Sequence, residues 1–110
     1  MLSRPHRLTR GDDYKRVVRR GSRCAGKHTV THVMSGDGDA VRFGFIVGRQ
    51  VGGAVVRNTV RRRLKDVCAR ALPSVRPGTD VVIRALPSSA GADFATLKSE
   101  VDRCLTRSAA

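Results

Sequence analysis

Val55-Val56-Arg57-Asn58-Thr59-Val60-Arg61-Arg62-Arg63-Leu64-Lys65 carries five cations and no acid, and its Val60 and Leu64 recur at helical spacing. A helix starting between Ala54 and Arg57 and turning about 100° per residue puts Val60, Leu64, Val67 and Ala71 on one stripe, with Cys68 at its margin. Asn58, Arg61, Arg62 and Lys65 then share one flank, while Arg63 and Arg70 fall on the other side. Most charge runs are merely solvated faces. Here no acid within the run offers an i,i+4 partner, an amide sits among the guanidiniums, and Gly52-Gly53 bends the chain just before it, so the pattern reads as a helix offered to phosphates.

The rest of the chain is built outward from this helix. Before it, Val41, Phe43, Phe45 and Val47 alternate with Arg42, Gly44, Ile46 and Gly48 over 41–48, and 29–34 is rich in β-branched residues. Both read as strands joined by the turn Ser35-Gly36-Asp37-Gly38-Asp39, and a shorter extended piece over 22–25 is expected ahead of them. Earlier still, Gly11-Asp12-Asp13 opens a short helix with Tyr14, Val17 and Val18 at i, i+3, i+4 and Gly21 as its stop. After the basic helix, Pro73 and the Arg76-Pro77-Gly78 turn lead to an apolar strand over 80–85. A Pro/Ser/Gly loop over 86–92 follows, with Asp93 as cap of a third helix marked by Phe94, Leu97, Val101, Cys104 and Leu105. Strand, helix, strand implies a parallel crossover. The fold class expected is α+β, a single-domain α/β sandwich in the order helix, strands, basic helix, strand, helix around one central sheet.

A length of 110 residues and 40% hydrophobic content fit a single domain, 1–110, whose residues 1–10 form a basic arm. With 22 basic and 9 acidic residues the net charge is +13, a field that suits a polyanion. A membrane partner is not expected, because there is no apolar run near the ~18 residues of a span and no tryptophan belt. The N-terminus has no secretory apolar segment, so the chain is expected in the cytoplasm. Its three cysteines, at 24, 68 and 104, form no Cys-x-x-Cys pair and are expected as reduced thiols rather than a metal or disulfide site, with Cys68 and Cys104, on or beside apolar helix stripes, as small core hydrophobes.

Catalytic chemistry finds little support. His6, His28 and His32 would be needed in pairs for metal-free acid/base cleavage, and His6 lies far in sequence from the other two. Asp12-Asp13 suits a helix start, Asp37 and Asp39 suit a turn, and no carboxylate cluster suggests magnesium. The glycines at 48, 52 and 53 fit neither a P-loop nor a dinucleotide fingerprint. Aromatics are only 4% of the chain, too few for a broad stacking platform, and the Phe43/Phe45 face reads as core.

Arg49-Gln50-Val51-Gly52-Gly53-Ala54-Val55-Val56-Arg57-Asn58-Thr59-Val60-Arg61-Arg62-Arg63-Leu64-Lys65 resembles the signature of the bacterial ribonuclease P protein family. In that signature a basic residue and a glycine turn precede Ala-Val, Arg-Asn and further helical cations. The Arg7-Leu8 start, the Asp13-Tyr14 helix, the Arg42-x-Gly44 strand, the Asp80 strand and the Phe94 helix fall in the family's order. The resemblance implies an uncommon left-handed βαβ crossover, where the general rule would give a right-handed one. It implies a subunit of the enzyme that removes the 5′ leader from precursor tRNA, with RNA and RNA-held magnesium doing the hydrolysis. No protein residue is then catalytic or a metal ligand. The partners implied are the catalytic RNA and precursor tRNA, with no obligate protein partner. RNA contacts carry over onto Arg49, Arg57, Asn58, Arg61, Arg62 and Lys65, and leader-cleft positions onto Tyr14, Val18, Val30, His32 and Ile46. The chain departs from the family pattern at Lys65, which replaces an arginine, at Val18 and His32, where aromatics are common, and at Ile46, where a small polar residue is common. The residues alone leave a small basic ribosomal protein and an autonomous ribonuclease as alternatives.

Overall fold

The computed structural model describes residue 2, residues 4–36 and residues 38–109. Asp37, read above as part of a turn, lies outside them. Helix α1, Gly11–Arg20, has Asp12 and Asp13 in its first turn and Arg19 and Arg20 in its last, each sign matched to the helix dipole. The Gly21 N–H closes it on the Val17 carbonyl at 2.8 Å. Strands β1, Ser22–Ala25, and β2, Thr29–Ser35, form an antiparallel hairpin. Strand β3, Arg42–Ile46, leads through a 3-10 turn at Arg49–Val51 into α2, Ala54–Ala71. Strand β4, Thr79–Ala85, and helix α3, Phe94–Ala109, complete the chain.

The sheet order is β1-β2-β4-β3, with β2/β4 antiparallel and β3/β4 parallel. The strand–helix–strand crossover is therefore parallel, as the pattern predicts. The joining turn is corrected, because β2 and β3 do not pair and β4 lies between them. The segment between β2 and β3 instead passes over the start of β4, where the Gly36 N–H donates to the Gly78 carbonyl (2.6 Å) and the Gly78 N–H to that of Asp39 (3.1 Å). Alternation on each strand satisfies either neighbour, so it could not choose between a hairpin and an insertion.

Strand alternation sorts the two faces. On one, Val33, Phe43, Val81, Ile83 and Ala85 pack with Val60, Leu64, Val67 and Cys68 of α2 and Leu97, Val101 and Leu105 of α3. This is the main core, and it confirms the helix phase read from the stripe. On the other, α1 covers part of the sheet through Val17 against Leu8, Val82, Met34 and Ile46. Asp80, buried at the start of β4, holds α1 there. Arg42 donates to it from Nε and Nη2 at 2.9 Å each, Arg16 from Nη2 at 3.3 Å, and Asp13 pairs with both arginines.

The expectation of three free thiols is overturned at two positions. Cys24 and Cys104 form a disulfide between β1 and α3, with Cα atoms 5.7 Å apart and a sequence separation of 80. Cys24 shares the face of Thr31 and Val33, towards α3, and only the folded register reveals that neighbour. Cys68 alone is free and buried, and burial pushes its thiol pKa well up.

Candidate nucleic-acid interface

The basic helix begins without a side-chain cap, at Gly53, and without an acid in its first turn. Gly52, at φ 155°, is required there: a Cβ would meet the Val56 side chain at 2.8 Å. Asn58 and Arg62 are exposed, and Arg57, Arg61 and Lys65 are half-buried. Arg61 donates to the Asn58 amide oxygen at 3.0 Å, which fixes two neighbours on the flank. Arg49 is exposed on the 3-10 turn before the helix. The six residues expected to face RNA thus lie on α2 and the turn leading into it. The opposite flank is engaged with the protein: Arg63 donates to the Ala92 carbonyl at 3.0 Å, and Arg70 pairs with Asp66 and lies over the Phe94 ring.

The 1–10 arm does not hang free where it is described. Leu2 and Leu8 are buried, Arg7 bridges to Phe43 in parallel, and the Leu8 N–H donates to the Phe43 carbonyl at 2.8 Å. Tyr14 locks this edge. Its hydroxyl donates to the Leu8 carbonyl (3.2 Å) and accepts the Phe45 N–H (3.1 Å). Its ring lies where a Cβ on Gly44 would stand, 2.6 Å from the ring carbon that carries the hydroxyl. A groove of about 160 Å³ opens here, lined by Arg7, Tyr14 and Phe45 together with Arg61 and Lys65 of α2. The basic flank and α1 therefore meet at the β3 edge.

The five cleft positions share one side of the molecule. Val30 and His32 on β2 and Ile46 on β3 belong to the sheet face that carries α1, and Tyr14 and Val18 stand on that helix. His32 is 5% exposed, with no hydrogen-bond partner for Nδ1 among the described residues. Burial holds its pKa below the usual 6.5, and the charges of Arg23 and Arg84 press the same way. Arg23 is the cross-strand partner of His32, Arg84 that of Val30, and both are exposed. Sequence reading missed these two arginines. The alternation Asp80, Val82, Arg84 against Val81, Ile83, Ala85 was the available signal.

The other histidines have structural partners and are not gathered into a site. His6 Nδ1 meets the Val41 carbonyl at 2.7 Å, and His28 Nδ1 meets the Ser88 hydroxyl at 2.8 Å. Glu100, also missed, is buried and accepts the His28 backbone N–H at 2.9 and 3.2 Å, closing the β1–β2 loop onto α3. Among the described residues no three His, Cys, Asp or Glu side chains gather where a metal could be held, and Asp80 is already shared by two arginines. The described residues do not fit a resident magnesium ion.

The family model for ribonuclease P matches residues 2–109. The chain belongs to the bacterial ribonuclease P protein family. It is 47% identical over 109 residues to the ribonuclease P protein component of Acidothermus cellulolyticus, covering 97% of this chain and 91% of that one. It is 48% identical over 108 residues to that of Clavibacter michiganensis, covering 97% and 96%. The fold matches the ribonuclease P protein of Staphylococcus aureus with a TM-score of 0.84 at 18% identity, covering 93% and 94%. It matches that of Thermotoga maritima with a TM-score of 0.82 at 23% identity, covering 92% and 96%. The chain is a component of ribonuclease P, an endoribonuclease of tRNA processing that works as a ribonucleoprotein, and its association with ribonuclease P RNA follows. The ribosomal-protein alternative falls with this membership. Among the described residues no helix is long and apolar enough to cross a membrane.

Proposed function

We propose that this ribonuclease P protein anchors the catalytic RNA on the α2 flank and holds the 5′ leader of precursor tRNA on the sheet face beside α1. The RNA, with the magnesium it binds, performs the hydrolysis in the cytoplasm. One observation carries the reading: Tyr14 of α1 lines the same groove as Arg61 and Lys65 of α2, so the two surfaces are continuous. A single strand leaving the RNA-bound flank would pass directly onto the face of Val30, His32 and Ile46. Arg23 and Arg84, exposed on that face, offer charge to its phosphates. With one tyrosine at the cleft edge, shape and charge carry more of the leader contact than stacking does.

The test uses the reconstituted holoenzyme. Val18 is 36% exposed on α1, so Val18→Glu adds an acid to the cleft wall without entering the core. Affinity for precursor tRNA should fall while that for mature tRNA stays the same, and His32→Ala should act in the same direction. Equal losses on both substrates would remove the leader from this face.

A further inference from the structure

A cavity of about 380 Å³ lies between α2 and the start of α3, lined by Arg62, Arg63, Lys65, Asp66 and Phe94. Its cations divide into two kinds. Arg63 is tied to the Ala92 carbonyl, and Arg70, just outside the lining, stands 5.1 Å from the centre of the Phe94 ring and 3.5 Å from Asp66. These contacts hold the wall and the ring in place. Arg62 and Lys65 have no hydrogen bond or ion pair among the described residues, although both belong to the flank read above as RNA-facing. Phe94 is half-buried and still lines the cavity, so part of its ring is left uncovered by Arg70.

We propose that this cavity receives one unstacked nucleotide of the RNA bound by α2, an inference that rests on the RNA-anchoring reading. The chemistry orients the guest. Its base lies against Phe94, since every base has a π face and a ring flanked by guanidinium suits it. Its phosphate meets Arg62 and Lys65, away from the Asp66 carboxylate, which would repel it. Asp66 can instead accept from an exocyclic amino group, which favours adenine, cytosine or guanine over uracil. Backbone phosphates alone would account for the free cations and make no use of the part of the ring that faces the cavity. A nucleotide uses both.

The experiment has two arms. In the first, the free protein is titrated with 5′-AMP, 5′-UMP and inorganic phosphate while amide resonances of 62–66 and 94 are followed. AMP should give saturable shifts at Phe94, UMP weaker ones and phosphate none there. In the second, Phe94→Leu, which keeps an apolar side chain against the core, should lower affinity for ribonuclease P RNA about ten-fold with an unchanged salt slope, because stacking is not a counterion effect. Phe94→Tyr should restore it. Wild-type affinity in Phe94→Leu, or AMP shifts no different from those of phosphate, would overturn the proposal. Arg61→Ala with Arg62→Ala separates the two ideas. If that pair abolishes RNA binding while Phe94→Leu does nothing, the anchoring reading survives and the nucleotide site does not; if neither matters, both fall.

Discussion

At Tyr14 one hydroxyl serves two backbone groups, accepting from β3 and donating to the arm, and its ring fits only because residue 44 has no Cβ. A ring so engaged can contribute a surface to the cleft but cannot swing to meet a base. Val60 and its neighbours on the flank give the sharpest residue-scale contrast. Val60→Asp buries a charge without a partner at a 1% exposed position and should cost several kcal/mol (about 3 or more), seen as loss of the cooperative thermal transition. Arg61→Ala with Arg62→Ala should melt as the wild type does yet bind ribonuclease P RNA more weakly, as filter binding would report. At His32 the folded pKa is depressed, so the unfolded chain takes up the proton first. Its contribution to stability is complete above the unfolded value of 6.5 and is lost as pH falls from there towards the lower folded pKa. Melting midpoints of wild type should therefore fall between about pH 7.5 and 5.5 more than those of His32→Gln. Parallel curves would mean that the imidazole is solvated.

The elements show where sequence carries information and where it does not. The α2 stripe and flank were legible because a period of 3.6 residues sorts side chains by angle, and the buried Val60, Leu64, Val67 and Cys68 fall where that angle puts them. The Asp93 cap was legible too, and its carboxylate accepts the Thr96 N–H at 2.8 Å, which with the hydroxyl of Thr96 lowers its pKa. Strand partners were not legible, since β-alternation defines faces and leaves the neighbour open. The cysteine pairing failed for the same reason, 80 residues apart and adjacent only once β1 lies against α3. By closing so long a loop the disulfide limits the unfolded chain, worth about 4 kcal/mol in the entropic account. Thermal melts with and without a dithiol reductant should differ accordingly, and Cys24→Ser should make the protein indifferent to the reductant. A wild-type midpoint that ignores the reductant would mean that the two sulfurs are thiols.

For the whole molecule, the excess of 22 basic over 9 acidic residues sets the energetics of association. Five flank and turn cations contacting phosphate would release about as many counterions, so affinity for ribonuclease P RNA should fall by a factor on the order of 10² to 10³ between about 50 and 200 mM monovalent salt. A nearly flat titration would contradict an interface built on phosphates. The placement of the candidate residues was legible residue by residue on α2, where composition and period coincide. The continuity of the two surfaces was not, because it depends on the arm lying along β3, a contact that no local pattern announces.

The position of β4 bears on how the chain is made. Strand β4, bonded on both sides, is the last one translated, and neither β3 nor the inner edge of β2 can find its lasting partner before residue 85 has left the ribosome. A nascent chain stalled before β4 should hold a lone β1–β2 hairpin, marginal by itself, and a basic segment already free to meet RNA. The released fragment 1–78 should accordingly give amide spectra of an unstructured chain, and adding the peptide 76–110 should restore dispersion. Such a protein would complete its sheet late enough for its nucleic-acid partner to arrive first.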